Sequence, residues 1–124
     1  MAPKIRVLIA DDHRLFAEAL DAILASEPGI EVVGRARNGE EAVDQALALE
    51  PDVILMDIAM PGVDGVEATK RICEQRGRAC ILMLTGSNSR ADVARARNAG
   101  ASAYVTKDRI AAQLVEAIRE LAAA

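Results

Sequence analysis

At 124 residues, with 52% hydrophobic and 27% charged side chains, the chain has the size of one domain with a single core, and no apolar run approaches the roughly eighteen residues of a membrane span. Its formal net charge of -4 and pI near 5.0 argue against this domain gripping nucleic acid by itself, because phosphate binding needs a basic surface. The opening segment lacks the layout of a secretory signal, and Cys73 and Cys80 have neither metal-ligand spacing nor a secreted disulfide pattern, so the chain reads as one cytoplasmic domain over residues 1–124 with two buried or half-buried thiols.

Five short apolar runs alternate with segments of helical period. The first run, IRVLIA (5–10), has the branched residues that suit a strand and leads into Asp11, Asp12 and His13. Leu15, Ala19, Leu20, Ile23 and Leu24 then recur at helical spacing. After the turn signal EPG comes IEVVG (30–34), and Ala42, Val43, Ala46 and Leu47 mark a second helix. VILM (53–56), apolar at every position as a strand covered on both faces should be, ends on Asp57 before a turn rich in Pro and Gly. Asp64 and Glu67 form a capping-box pattern ahead of Val66, Thr69, Ile72 and Cys73. CILML (80–84) leads to Thr85 and then to an Ala- and Arg-rich helix over roughly 90–99, which has the weakest apolar stripe. AYV (103–105) precedes Thr106 and Lys107. Asp108 is placed to cap a last helix bearing Ile110, Leu114, Ile118 and Leu121. Such alternation predicts a three-layer α/β domain, a parallel sheet with helices on both faces.

Open parallel sheets bind ligands beyond the carboxyl ends of their strands, where strand order reverses. Asp11, Asp12, Asp57, Thr85 and Lys107 all follow strand ends, so three carboxylates converge if the first and third strands are neighbours. Two carboxylates about 4 Å apart repel by roughly 4 kcal/mol at an effective dielectric of 20, which calls for positive charge. A hard divalent cation such as Mg2+ takes oxygen ligands of this kind, and Lys107 supplies a fixed ammonium. A carboxylate so placed can attack a phosphoryl group to form an aspartyl phosphate, with Thr85 hydrogen-bonded to a phosphoryl oxygen. Taken singly, each residue has a plainer reading: Asp12 as a helix cap, Asp57 as a turn former, Thr85 as a turn hydroxyl and Lys107 as a solvated side chain. Their shared position at one rim favours the joint reading. His13 reads as an exposed residue at a helix start, and Arg90, Arg95 and Arg97 as a solvated face, with an acidic partner as the lesser alternative.

The segments DDH, DIAMPGVDG, LTG and AGASAYVTKD, in this order and over essentially the whole chain, resemble the response-regulator receiver domains of two-component signalling. DDHRLF resembles the subfamily with a C-terminal helix-turn-helix of the LuxR type. The resemblance implies a flavodoxin-like (βα)5 fold whose five parallel strands run in the order 2-1-3-4-5. It implies that Asp57 is the phosphoacceptor, modified to 4-aspartylphosphate by a sensor histidine kinase. It places Mg2+ on Asp12, Asp57 and the carbonyl of Ala59 with Asp11 close by, sets Thr85 and Lys107 on the phosphoryl group, and makes Thr85 and Tyr104 the switch pair. Further implications are a homodimer on phosphorylation, DNA contact only through a C-terminal domain outside this chain, no membrane partner, and no enzymatic activity beyond turnover of its own phosphate. Two features depart from the pattern: Asp108 stands where many receivers have Pro, and Ala59 and Ser87 occupy the variable positions that tune dephosphorylation. The chain stops about where the last helix should end, either as a stand-alone receiver or as the N-terminal part of a longer regulator. Three other functions compete. A haloacid-dehalogenase-like phosphohydrolase would need an acid where Ala59 stands; a flavodoxin-like cofactor binder would meet repulsion from Asp11 and Asp12; an interaction domain that is never phosphorylated would have no use for the acid, Thr and Lys set.

Overall fold

A computed structural model describes residues 3–77, 79–86 and 90–123. The strands are β1 (Ile5–Ala10), β2 (Ile30–Ala36), β3 (Val53–Asp57), β4 (Cys80–Thr85) and β5 (Ala103–Thr106). The α-helices are α1 (Arg14–Ala25), α2 (Gly39–Leu49), α3 (Gly65–Gln75), α4 (Arg90–Ala99) and α5 (Ile110–Ala123), with one 3-10 turn, Lys107–Arg109, ahead of α5. All strand pairs are parallel and the order across the sheet is β2-β1-β3-β4-β5, as expected for the flavodoxin-like arrangement.

Strand alternation divides the core in two. Leu8, Ala10, Ile54, Met56, Ile81 and Met83 face α2, α3 and α4, which meet them largely with small side chains such as Ala42, Ala46, Ala68 and Ala96. Val7, Ile9, Leu55, Leu82, Leu84 and Val105 face the other way, onto Leu20 and Leu24 of α1 and Leu114 and Ile118 of α5. Each large side chain buried in this way contributes about 1.5–3 kcal/mol of hydrophobic stabilisation before entropy is counted. Asn38 starts α2 and Asp64 starts α3, their side chains accepting from the N–H groups of Glu41 at 2.9 Å and Glu67 at 2.8 Å. The Asp64–Glu67 cap expected from the sequence is therefore present. Asp108 does not cap α5: it sits inside the 3-10 turn, whose first flanking residue is Thr106. The extra turn absorbs the step from the end of β5 into the helix. Cys73 and Cys80 are free and half-buried.

β1 is hydrogen-bonded to β2 on one side and β3 on the other, with Ala10 opposite both Ala36 and Met56. The chain leaves β1 toward one edge and returns to β3 toward the opposite one, so a crevice opens between the loops that follow these two strands. The β3–α3 loop is pinned by Ile58 N–H donating to the Leu84 carbonyl and Gly65 N–H to the Ile58 carbonyl, both at 3.0 Å. Gly65 is needed at this approach because a Cβ there would collide with the Asp57 carbonyl oxygen. Gly65→Ala should therefore destabilise the domain by about 1–3 kcal/mol in urea unfolding, whereas Gly77→Ala should move stability by less than about 0.5 kcal/mol, since a Cβ at Gly77 meets nothing within 4 Å. Equal effects of the two substitutions would refute the steric argument.

Candidate functional site

The rim formed by the carboxyl ends of β1, β3, β4 and β5 carries nearly every polar residue buried in the domain. Asp11 directly follows β1, Asp57 is the last residue of β3 and Thr85 the last of β4, and each is only 2% exposed. Strand register brings the acids together, since the Ala10–Met56 pairing places the next residue of each strand side by side. Lys107, following β5, puts its Nζ 3.4 Å from Asp11 Oδ2 and 3.4 Å from Asp57 Oδ2. It also lies 4.5 Å from the centre of the Phe16 ring, which covers the ammonium from the α1 side. Asp12 is more open, its side chain 28% exposed. Asp11 Oδ1 accepts the His13 N–H at 2.8 Å and Asp57 Oδ1 the Ala59 N–H at 3.3 Å.

Two buried carboxylates thus share one lysine, with Asp12 beside them. Beyond the ion pairs with Lys107, neither Asp11 Oδ2 nor Asp57 Oδ2 has a hydrogen-bond partner among the described residues, although both are buried. Burial, reinforced by the negative charge of Asp11, pushes the Asp57 carboxyl up from 3.8 to about 6, against the opposing pull of Lys107 and the Ala59 N–H. Oxygen donors that are buried, under-satisfied and in excess of positive charge suit a hard divalent cation, and Asp11, Asp12 and Asp57 are placed to hold one.

His13 is the residue sequence reasoning undervalued. It occupies the first flanking position of α1, makes no side-chain cap, and turns its ring over the acids: Nδ1 lies 3.3 Å from both Asp11 Oδ1 and Asp12 Oδ1 and 3.7 Å from Asp57 Oδ2. The available signal was a histidine where Ser, Thr, Asn or Asp would ordinarily cap. Phe16 carried no sequence signal, because its meeting with Lys107 depends on tertiary packing. Tyr104 lies away from the acids, 40% exposed on β5 beside Arg90, Val93, Ala94 and Arg97 of α4. Arg95 finds its acidic partners within the chain, Asp64 at 3.5 Å and Asp92 at 3.4 Å. Ser87 lies outside the described residues, and the Lys107–Asp108 peptide is not cis.

The response regulator receiver domain model matches residues 7–119. The chain belongs to that family. Over 115 residues it is 45% identical to the transcriptional regulatory protein LiaR of Bacillus subtilis, an alignment covering 93% of this chain and 54% of LiaR; the chain spans about half the length of the curated relatives it matches. Its structure superposes on the receiver domain of the putative response regulator NarL from Mycobacterium tuberculosis with a TM-score of 0.94, 31% identity and 98% of each chain covered. A third similar structure is the CheX-CheY-BeF3-Mg2+ complex of Borrelia burgdorferi, with a TM-score of 0.89, 26% identity, and 96% of this chain and 90% of that one covered.

The receiver's acid pocket has a measurable signature. With its pKa raised from 3.8 to about 6, Asp57 binds its proton more tightly in the folded state than in the unfolded one. The stability linked to that proton is fully present below 3.8 and lost as pH rises through about 6, a cost of at most about 3 kcal/mol at neutral pH. In metal-free buffer, Asp57→Asn should unfold at higher denaturant than wild type near pH 7.5, and the advantage should shrink as pH falls from about 6 toward 3.8. A variant less stable than wild type at both ends of that range would contradict the burial argument.

Proposed function

We propose that Asp57 is the phosphoacceptor of this receiver and that residues 1–124 form the phosphorylation-controlled domain of a two-component regulator. A single observation supports this most: a buried carboxylate at a strand end, backed by a second buried acid and faced by Lys107 at 3.4 Å. The raised pKa strengthens Asp57 as a nucleophile and still leaves it ionised at neutral pH. In transfer, an Asp57 oxygen forms a P–O bond as the P–N bond of a kinase phosphohistidine breaks, and the departing imidazole keeps the electron pair and takes a proton. Lys107 neutralises charge on the phosphoryl oxygens and Thr85 donates its hydroxyl to one of them. Mg2+ fits Asp12, Asp57 and the Ala59 carbonyl with Asp11 beside them, and would supply the remaining positive charge and orient the phosphoryl group; a CheY of this fold in complex with BeF3 and Mg2+ supports that choice. Self-catalysed hydrolysis returns the carboxylate, and Ala59 has no side chain to direct the attacking water.

Phosphorylation adds charge and acceptor oxygens at Asp57. In the proposed switch Thr85 and Lys107 are drawn toward the new group, space opens beneath Tyr104, and the face of α4, β5 and α5 changes shape. A sensor histidine kinase in the cytoplasm is the donor; the altered face promotes a homodimer, and DNA is reached through a separate C-terminal domain, as the regulatory name of LiaR supports. Among the described residues no helix is long and apolar enough to cross a membrane.

Incubation with acetyl phosphate and Mg2+ should give one base-labile phosphoryl adduct on wild type and none on Asp57→Ala, read by intact-protein and peptide mass spectrometry. Thr85→Ala and Lys107→Ala should slow adduct formation by roughly tenfold or more. Equal labelling of wild type and Asp57→Ala would remove Asp57 from this role.

A further inference from the structure

We infer that His13 is a direct nitrogen ligand in the acid pocket, so that this site favours borderline first-row divalent metals over Mg2+ more strongly than its carboxylates alone would. The inference rests on reading the pocket as a cation site and adds a fourth donor to it. Asp11, Asp12, His13 and Asp57 each offer one ligand atom, and these atoms all lie within 4.8 Å of one another. Adjacent ligands on an octahedron with bonds of about 2.1 Å stand roughly 3.0 Å apart, and opposite ones about 4.2 Å. The Nδ1 separations of 3.3, 3.3 and 3.7 Å from the three carboxylates are close to the adjacent spacing.

One further observation points to a ligand here. Asp11 Oδ2 and Asp57 Oδ2 are buried and lack hydrogen-bond partners among the described residues. His13 also forgoes the capping bond of its helix position while its own N–H is held by Asp11 Oδ1 at 2.8 Å. The backbone of His13 is thereby tied to one of the acids its ring faces. With the ring proton on Nε2, Nδ1 presents a lone pair to the pocket. Imidazole adds little for Mg2+, which prefers oxygen, and adds increasingly along the series from Mn2+ to Co2+ and Ni2+.

His13 is the single histidine of the chain, so any histidine nitrogen signal is its own. Pulsed EPR of the Mn2+-loaded protein should show a directly coordinated nitrogen that changes on 15N-histidine labelling and disappears in His13→Ala. Calorimetric titration should show Co2+ affinity falling about tenfold in His13→Ala, the lower end of what loss of a supporting group costs a metal site, with Mg2+ affinity within about twofold of wild type. Both proteins keep Cys73 and Cys80, so thiol binding is common to the two. Metal binding without nitrogen coupling, or equal changes for Mg2+ and Co2+, would overturn the role of His13 while leaving the carboxylate site intact. No binding of Mg2+, Mn2+ or Co2+ to wild type would overturn both. His13 is largely exposed, and a circular dichroism melt of the variant checks that the fold is kept.

Discussion

Asp11 and Asp57 share one ammonium where both carboxylates are almost wholly shielded from solvent. Both carboxylates are buried at the rim of a parallel sheet, 3.4 Å from the same Lys107 Nζ, and strand register fixes their backbones side by side. One positive charge cannot balance two buried negative ones with Asp12 adjoining. Burial first, and then the negative charge of Asp11, pushes the Asp57 carboxyl toward its protonated form, and the folded site is left with a local deficit of positive charge. An added cation would relieve that deficit, and the proposed phosphoryl group on Asp57 would renew it, so the site would suit a cation and a phosphoryl group together better than either alone.

The same sheet makes the consequences of such a charge change uneven. α5 buries Ile110, Leu114 and Ile118, whereas α4 buries only Ala96 among its described side chains. A helix with so little apolar area against the sheet is held weakly and shifts at low cost. It lies beside Tyr104, and its Arg95 reaches Asp64 at the start of α3, next to the loop that carries Ala59. Charge rearrangement at the rim therefore meets its least resistance on the α4 side, the side on which the proposed output face lies.

Periodicity made the five strands and five helices legible, because Val, Ile and Leu at nearly every position of VILM or CILML have only a two-faced buried strand as a consistent environment. Strand ends were less visible. β2 runs on to Ala36 and β3 to Asp57, as ladder hydrogen bonds continue beyond the last apolar side chain. Strand order came from the family resemblance, since apolar pattern alone does not say which neighbours pair. The acids and Lys107 were legible as residues following strand ends. The direction of the His13 ring was not, because it is set by the Asp11 carboxylate holding the His13 backbone. Phe16 over Lys107 and the 3-10 turn around Asp108 likewise arise from packing between distant segments.

Burial also limits what can deliver a phosphoryl group. Asp57 is 2% exposed, Phe16 lies against Lys107, the His13 ring stands 3.7 Å from Asp57 Oδ2, and a surface cleft lined by Asp12, Ala59, Met60 and Arg95 opens beside the acids. The buried position of Asp57 would favour a donor of the proposed phosphoryl group whose phosphorus stands on a narrow stem projecting beyond its own bulk. A small acyl phosphate satisfies this, as does a phosphorylated imidazole standing out from a helix. A phosphate ester recessed in a folded surface does not. The small side chain of Ala59 lines that cleft together with Asp12, which is more open than the other acids. Repulsion between Asp12 and the phosphoryl oxygens would oppose entry, and a cation held by the acids would lessen it.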